Sequence, residues 1–255
     1  MGLKLHIMTF NLRVHVLDDG DNAWPNRIAE AAEAIKHAQA DIVCTQEGTP
    51  SMLRDLQELL PEYRSLGASR SSGTEDECCA IFYKSDVVTL KESGHFGLSE
   101  HPEQLGYMSW DTACPRMCTW AKFSNREGGE WIVYNTHLDH VSEEARQKGI
   151  QLILSRMNSA RIQLPAMLTG DFNCEPESSV IELINEAGLT SAFSVLDEPL
   201  SRTYHAFQGG DTGSPIDYIY VSQNTRLVSC VIDRSLYNGR YPSDHYPITA
   251  AVIPN

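Results

Sequence analysis

The chain has 255 residues, enough to bury a large core within one domain. It sets 20 Lys+Arg against 34 Asp+Glu, and the net charge of −14 argues against holding nucleic acid mainly by displacing counterions from phosphates. A phosphate substrate stays open, because a bound divalent cation supplies positive charge locally.

In chain order, the runs LKLHIMTFNL, DIVCTQE, CCAIFYKSD, RMCTWAKF, EWIVYNTHL, PAMLTGDFN, IDYIYVS and PITAAVI read as strands, most of them bounded by Gly, Pro, Asp or Ser. Helical patterns lie between several of them. NRIAEAAEAIKHAQA carries Ile28, Ala31, Ala32 and Ile35 on one face, and SMLRDLQELL repeats Leu53, Leu56 and Leu60. SEEARQKGIQLILSRM starts on Ser142 as a cap, and Pro176 is placed to begin the helix ESSVIELINEAG. Gly73–Asp76, Gly94–Asp111 and Ser201–Ser214 read as loops. The expectation is one mixed α and β domain spanning residues 1–255, and the alternation by itself suggests a parallel sheet.

The seven cysteines are odd in number and lack C-x-x-C spacing, which fits reduced thiols in a cytoplasm. No amino-terminal signal pattern is visible. Nor does any apolar run approach the roughly 20 residues of a membrane span. Cys44 and Cys118 sit in apolar runs and read as buried small hydrophobes.

Polar residues with chemical potential gather at the carboxy ends of the apolar runs. Asn11 follows IMTF, Glu47 follows DIVCTQ, His137 follows WIVYNT, Asp171 and Asn173 follow AMLTG, and Asp244 with His245 precedes the last strand. Strand ends open onto loops, so residues distant in sequence can meet there. Any one of them alone reads equally well as a turn or cap residue.

Two metal patterns compete for these residues. Asp171, Asn173, Glu175 and Glu182 fall at positions one, three, five and twelve of an EF-hand frame, but position six holds Pro176 where a sharp turn needs glycine. His137, Asp139 and His140 match the second half of the H-x-H-x-D-H run of metallo-β-lactamase-like zinc hydrolases, with Asn135 where the first histidine should stand.

The strings TFNLR, QE, NTHLD, GDFN, IDYIYV and SDHYP, in that order across almost the whole chain, resemble the endonuclease/exonuclease/phosphatase family, which includes DNase I. The stretch from Ser99 to Phe123 resembles a bacterial branch of hydrolases within it. The resemblance implies a four-layer α/β/β/α sandwich, two mostly antiparallel sheets flanked by helices, with a metal site at one edge. It implies hydrolysis of phosphoesters with Mg²⁺ or Mn²⁺, ions that suit hard oxygen ligands. Glu47 would be the main ligand, with Asn11 beside it and Asp244 as a further carboxylate.

In the same pattern Asp171 takes a proton from the attacking water, Asn173 orients water or phosphate, and His245 donates to a non-bridging oxygen while Asp217 holds its ring. Glu77 would face His137 as a second histidine-carboxylate pair. Arg116 has the chemistry of a phosphate clamp, and Trp110, Tyr204 and His205 could stack on a base or sugar. Acidity favours a small phosphodiester or nucleotide over duplex DNA. The competing reading is a catalytically silent module that binds a phosphate ligand on the same fold.

Overall fold

The computed structural model describes residues 3–71, 75–159 and 164–255. The chain runs β1 (Leu5–Asn11), α1 (Ile28–His37), β2 (Ile42–Gly48), α2 (Pro50–Leu59), β3 (Tyr63–Leu66), β4 (Cys78–Lys84), β5 (Thr89–Gly97) and β6 (Met117–Ser124). It continues through β7 (Glu130–His137), α3 (Glu143–Ser159), β8 (Ala166–Asp171), α4 (Ser179–Glu186), β9 (Thr190–Ser191), β10 (Asp217–Val221), β11 (Thr225–Ile232) and β12 (Ile248–Pro254).

Successive side chains of a strand point to opposite faces, and here both faces are covered. From β1, Leu5 and Ile7 enter the core between the sheets with Ile42, Val133, Met167 and Ile219. Met8 and Phe10 enter a second core with Ala31, Ala32 and Ile35 of α1 and Leu56 of α2. A third core packs Tyr134, Leu168 and Tyr220 against Ile150 and Ile153 of α3 and Ile181 and Ile184 of α4. Strands buried on both faces read as unbroken apolar runs. The result is two six-stranded sheets between helical layers, ordered β11-β12-β1-β2-β4-β3 and β5-β6-β7-β8-β10-β9.

Each sheet is antiparallel apart from one parallel pair, β1 with β2 and β7 with β8, which corrects the parallel sheet that the alternation suggests. In the parallel pairs Asn11 lies opposite Gln46 and His137 opposite Asp171, so the polar ends of four strands finish at one edge of the sandwich. Gly170 makes the second pairing possible. At φ +149 an added Cβ there would sit 2.0 Å from the Thr136 carbonyl oxygen.

Strands β3, β5, β9 and β11 are the ends of the two sheets and lack a continuous apolar signal. Gly94–Gly97 belongs to β5 rather than to a loop. Pro176 stands before α4, whose cap is Ser178, its hydroxyl accepting the Ile181 N–H. Ser142 caps α3 as expected, accepting the Ala145 N–H at 3.1 Å. Gly73 and Thr74 of the expected acidic loop lie outside the described residues. All seven cysteines are free, and Cys44 and Cys118 are fully buried. No helix among the described residues is long and apolar enough to cross a membrane.

Candidate active site

The edge where these strands finish holds a cleft of about 480 Å³, lined among others by Glu47, Asp171, Asp244, His137, Asn173 and His245. Beneath the lining lies Asn11, itself fully buried. The Nδ2 amide donates to Glu47 Oε1 and to Asp171 Oδ2, both at 2.9 Å, and so draws together carboxylates from the two sheets. Asn11 Oδ1 accepts the Arg13 N–H, which fixes the amide this way round. The second oxygen of Glu47 accepts the Val14 N–H, and Asp171 Oδ1 accepts the Asn173 N–H. Arg13, Glu47 and Asn173 all hold left-handed backbone angles, φ 55°, 63° and 49°, conformations that persist in non-glycine residues only where surrounding bonds impose them.

His245 Nδ1 bonds Asp217 Oδ2 at 2.8 Å, and its Nε2 faces Asp171 Oδ2 at 3.9 Å. Burial alone would lower its proton affinity, but Asp217, Asp171 and Asp244 together raise it. Asp171 is pushed up by burial first and by the Asp217 charge second. His137 is held neutral by burial and by the positive charges of Arg116 and Arg70. Its Nε2 meets Asn173 Nδ2 at 3.0 Å and lies 3.6 Å from Asp171 Oδ2.

Glu47, Asp171 and His245 bring one donor atom each within 4.8 Å of one another. Hard carboxylate oxygens gathered from two sheets, with Asp244 in the same cleft and its proton affinity raised by burial, form a donor set that fits a divalent cation. The expected set of Glu47, Asn11 and Asp244 overlaps this cluster only at Glu47. Asn11 turns its nitrogen, not its oxygen, toward the carboxylates. Cys114, Asp139 and His140 also converge, but Arg116 stands among them: its Nε donates to Asp139 at 3.3 Å and its Nη2 meets His140 Nδ1 at 2.8 Å. Asp139 also accepts the N–H groups of Ala113, Val141 and Ser142. That geometry gives no support to a zinc site.

Three sequence expectations change. Glu77 reaches the cleft but pairs with Arg70 Nη1 at 2.7 Å, while the hydrogen bond of His137 goes to Asn173. His205 is buried, stacked on Tyr246 with ring centroids 4.0 Å apart, and does not line the cleft. Its backbone N–H donates to the Asp244 carbonyl, so it supports that loop instead. Trp110 is half-buried away from the cleft lining, its carbonyl accepting the Ser142 hydroxyl. Of the aromatic candidates only Tyr204 faces the cleft, 47% exposed and 5.0 Å from the His245 ring.

Arg13, Arg70 and Arg27 escaped the sequence reading. Arg13 and Arg70 line the cleft. Arg27 is fully buried and donates to the carbonyls of Leu12, Arg13, Asn22 and Pro242, tying the segment after β1 to the one before Asp244. Burial lowers its pKa to about 10, which still leaves it charged at neutral pH. Nothing in an isolated arginine beside WPN signals such a role.

Fold and site together define a layered α/β protein with an acidic, histidine-bearing edge cleft suited to a cation and a phosphate. Residues 8–245 match the Endonuclease/Exonuclease/phosphatase family, and the chain belongs to it. A family protein of Bacteroides thetaiotaomicron is 29% identical, with a TM-score of 0.94 over 100% of this chain and 99% of that one. A mannosyl-6-phosphatase of the same organism is 30% identical, with a TM-score of 0.90 over 98% of this chain and 99% of that one. The Drosophila melanogaster protein angel is 25% identical over 91% of this chain and 68% of its own length.

Proposed function

We propose that the chain is a Mg²⁺- or Mn²⁺-dependent hydrolase of a small phosphate ester. The observation that carries this reading is the Asn11 amide holding Glu47 and Asp171 together beside the Asp217–His245 pair. Glu47, with Asp244 in the same cleft, would hold the cation, which when bound polarises a phosphoryl oxygen and stabilises charge on the leaving group.

The residues of the chain supply the proton chemistry. Asp171, its proton affinity raised toward neutral by burial, accepts the proton of an attacking water. Asn173 fixes Asp171 through its backbone N–H and leaves its side-chain oxygen to orient that water, since its Nδ2 is engaged by His137 and the Leu138 carbonyl. His245 donates from Nε2 to a non-bridging oxygen as charge builds, and Asp217 holds Nδ1 in one tautomer. A small ester is supported by the cleft's size, by the net charge of −14, and by the likeness to a mannosyl-6-phosphatase. The free cysteines fit action in the cytoplasm.

Turnover of a panel of phosphomonoesters, phosphodiesters and nucleic acids, with Mg²⁺, Mn²⁺, Zn²⁺ or chelator, tests the reading. Activity should require Mg²⁺ or Mn²⁺, vanish with chelator, and need more metal in Glu47→Gln. Full activity in metal-free protein, or with zinc alone, overturns it. Phosphate binding with no turnover of any ester would favour the silent binding module.

A further inference from the structure

Besides the acidic cluster, the cleft lining carries two arginines that the proton chemistry does not use. Arg70 and Arg116 line the cleft, and both also bound a recess of about 10 Å³ between Glu47, Glu77 and His137. They come from different sheets, Arg70 from the loop between β3 and β4 and Arg116 from the residue before β6. Each guanidinium is held from behind. Arg70 donates Nε to Asp76 at 2.9 Å and Nη1 to Glu77 at 2.7 Å. Arg116, 5% exposed, donates Nε to Asp139 and places Nη2 against His140. Arg70 Nη2 and Arg116 Nη1 enter no hydrogen bond among the described residues. Two arginines so fixed present pre-oriented donors, the geometry that recognises phosphate oxygens.

Resting on the hydrolase reading, we propose that Arg70 and Arg116 together grip the non-bridging oxygens of a terminal phosphate, which makes a phosphomonoester the preferred substrate over a phosphodiester. A monoester dianion offers three non-bridging oxygens and two charges, whereas a diester offers two oxygens and one charge. Glu47 and Asp244, with the cation they would hold, and His245 would account for part of that set, and the two arginines take the remainder. Glu77 then serves as a positioning residue for Arg70. Its carboxyl is raised to about 7 by burial, and the Arg70 charge pulls the other way. This assignment narrows the preference that acidity alone suggests, replacing the diester by the monoester.

The test compares kcat/KM for p-nitrophenyl phosphate and bis(p-nitrophenyl) phosphate on the metal-loaded full chain. The wild type should favour the monoester. Arg70→Ala should lower monoester kcat/KM by roughly 30-fold, chiefly through KM, and change the diester by less than about threefold. Arg70→Lys should recover part of the loss, because it restores charge without the fork. Arg116 is buried and its removal risks the fold, so Arg116→Lys with a thermal unfolding control is the paired variant. Glu77→Gln should raise monoester KM with kcat retained. Independently of turnover, calorimetric affinity for inorganic phosphate should fall about tenfold in Arg70→Ala. Equal losses on both esters, a wild-type preference for the diester, or unchanged phosphate affinity overturns the proposal while leaving the hydrolase reading intact. Turnover of neither ester by the metal-loaded wild type sinks the hydrolase reading and this proposal with it.

Discussion

Gln46 and Asn135 join the two sheets through the interior of the sandwich: Gln46 Nε2 donates to Asn135 Oδ1 at 2.7 Å, and Asn135 Nδ2 donates to the carbonyls of Thr45 and Ala80, both at 2.9 Å. Each precedes a cleft residue, Glu47 on one strand and His137 on the other, so the link sets the spacing of the sheets where the cleft needs it. Asn135→Ala should cost about 3 kcal/mol in denaturant unfolding, the scale of buried polar groups left without partners. Wild-type stability would show that the link is not structural. Asn135→His, which completes the zinc-type string, should give no zinc-dependent turnover, because position 135 is wholly buried between the sheets.

Gly170 admits no side chain. A methyl group placed 2.0 Å from the Thr136 oxygen must part β7 from β8, so Gly170→Ala should destabilise by about 3 kcal/mol or more, or prevent soluble expression. A stable, active Gly170→Ala protein would mean that the two strands separate without penalty.

Asp171→Asn keeps the shape of the side chain and removes the proposed base. Turnover should fall by roughly 10²-fold or more with little change in substrate affinity and with the fold intact. His245→Ala should lower turnover on a similar scale. If Asp171 served only the turn, the pattern would reverse, with a lower unfolding midpoint and nearly normal turnover per folded molecule. Single-turnover rates beside thermal unfolding separate the two.

Asp139 predicts an acid-sensitive term in stability. Burial alone would raise its pKa, but the N–H groups of Ser142 and Val141, the Thr112 hydroxyl and Arg116 hold it below the ordinary aspartate range. A depressed folded pKa stabilises fully above the unfolded value, about 3.9, and the contribution is lost as pH falls through the lower folded value. Asp139→Asn should therefore be about 2 kcal/mol less stable at neutral pH and converge on the wild type in acid. A gap that stays constant from neutral pH to pH 2 would remove the ionised carboxylate from the explanation.

The strands that deliver the site were legible because burial on both faces leaves unbroken apolar runs, each closed by a polar residue that has no core to enter. Asn11, Glu47, His137 and Asp171 stood out for that reason. The sheet order was not legible. Alternation of strand and helix says nothing about which strands neighbour each other, and edge strands such as β5 and β11 carry weak patterns because much of their surface faces water. Arg70 was invisible for a related reason: in ASRSSG it reads as a solvated loop residue, and only the fold sets Asp76 and Glu77 against it. His205 and Trp110 show the converse error. An aromatic ring in a loop announces that it packs, but not against what.

Strand β12, the last element in chain order, lies in the middle of its sheet, between β11 and β1. During synthesis β1 can dock on β2 early, yet its other edge stays open until nearly all of this sequence has left the ribosome. Asp244 and His245 emerge just ahead of that closing strand. A nascent fragment can therefore display Glu47, His137 and Asp171 while lacking Asp244 and His245, and the completed cleft and the sealed sheet arrive late together. A chain cut short before Asp244 would lack both of these cleft residues and leave β1 with an unpaired edge exposed to aggregation.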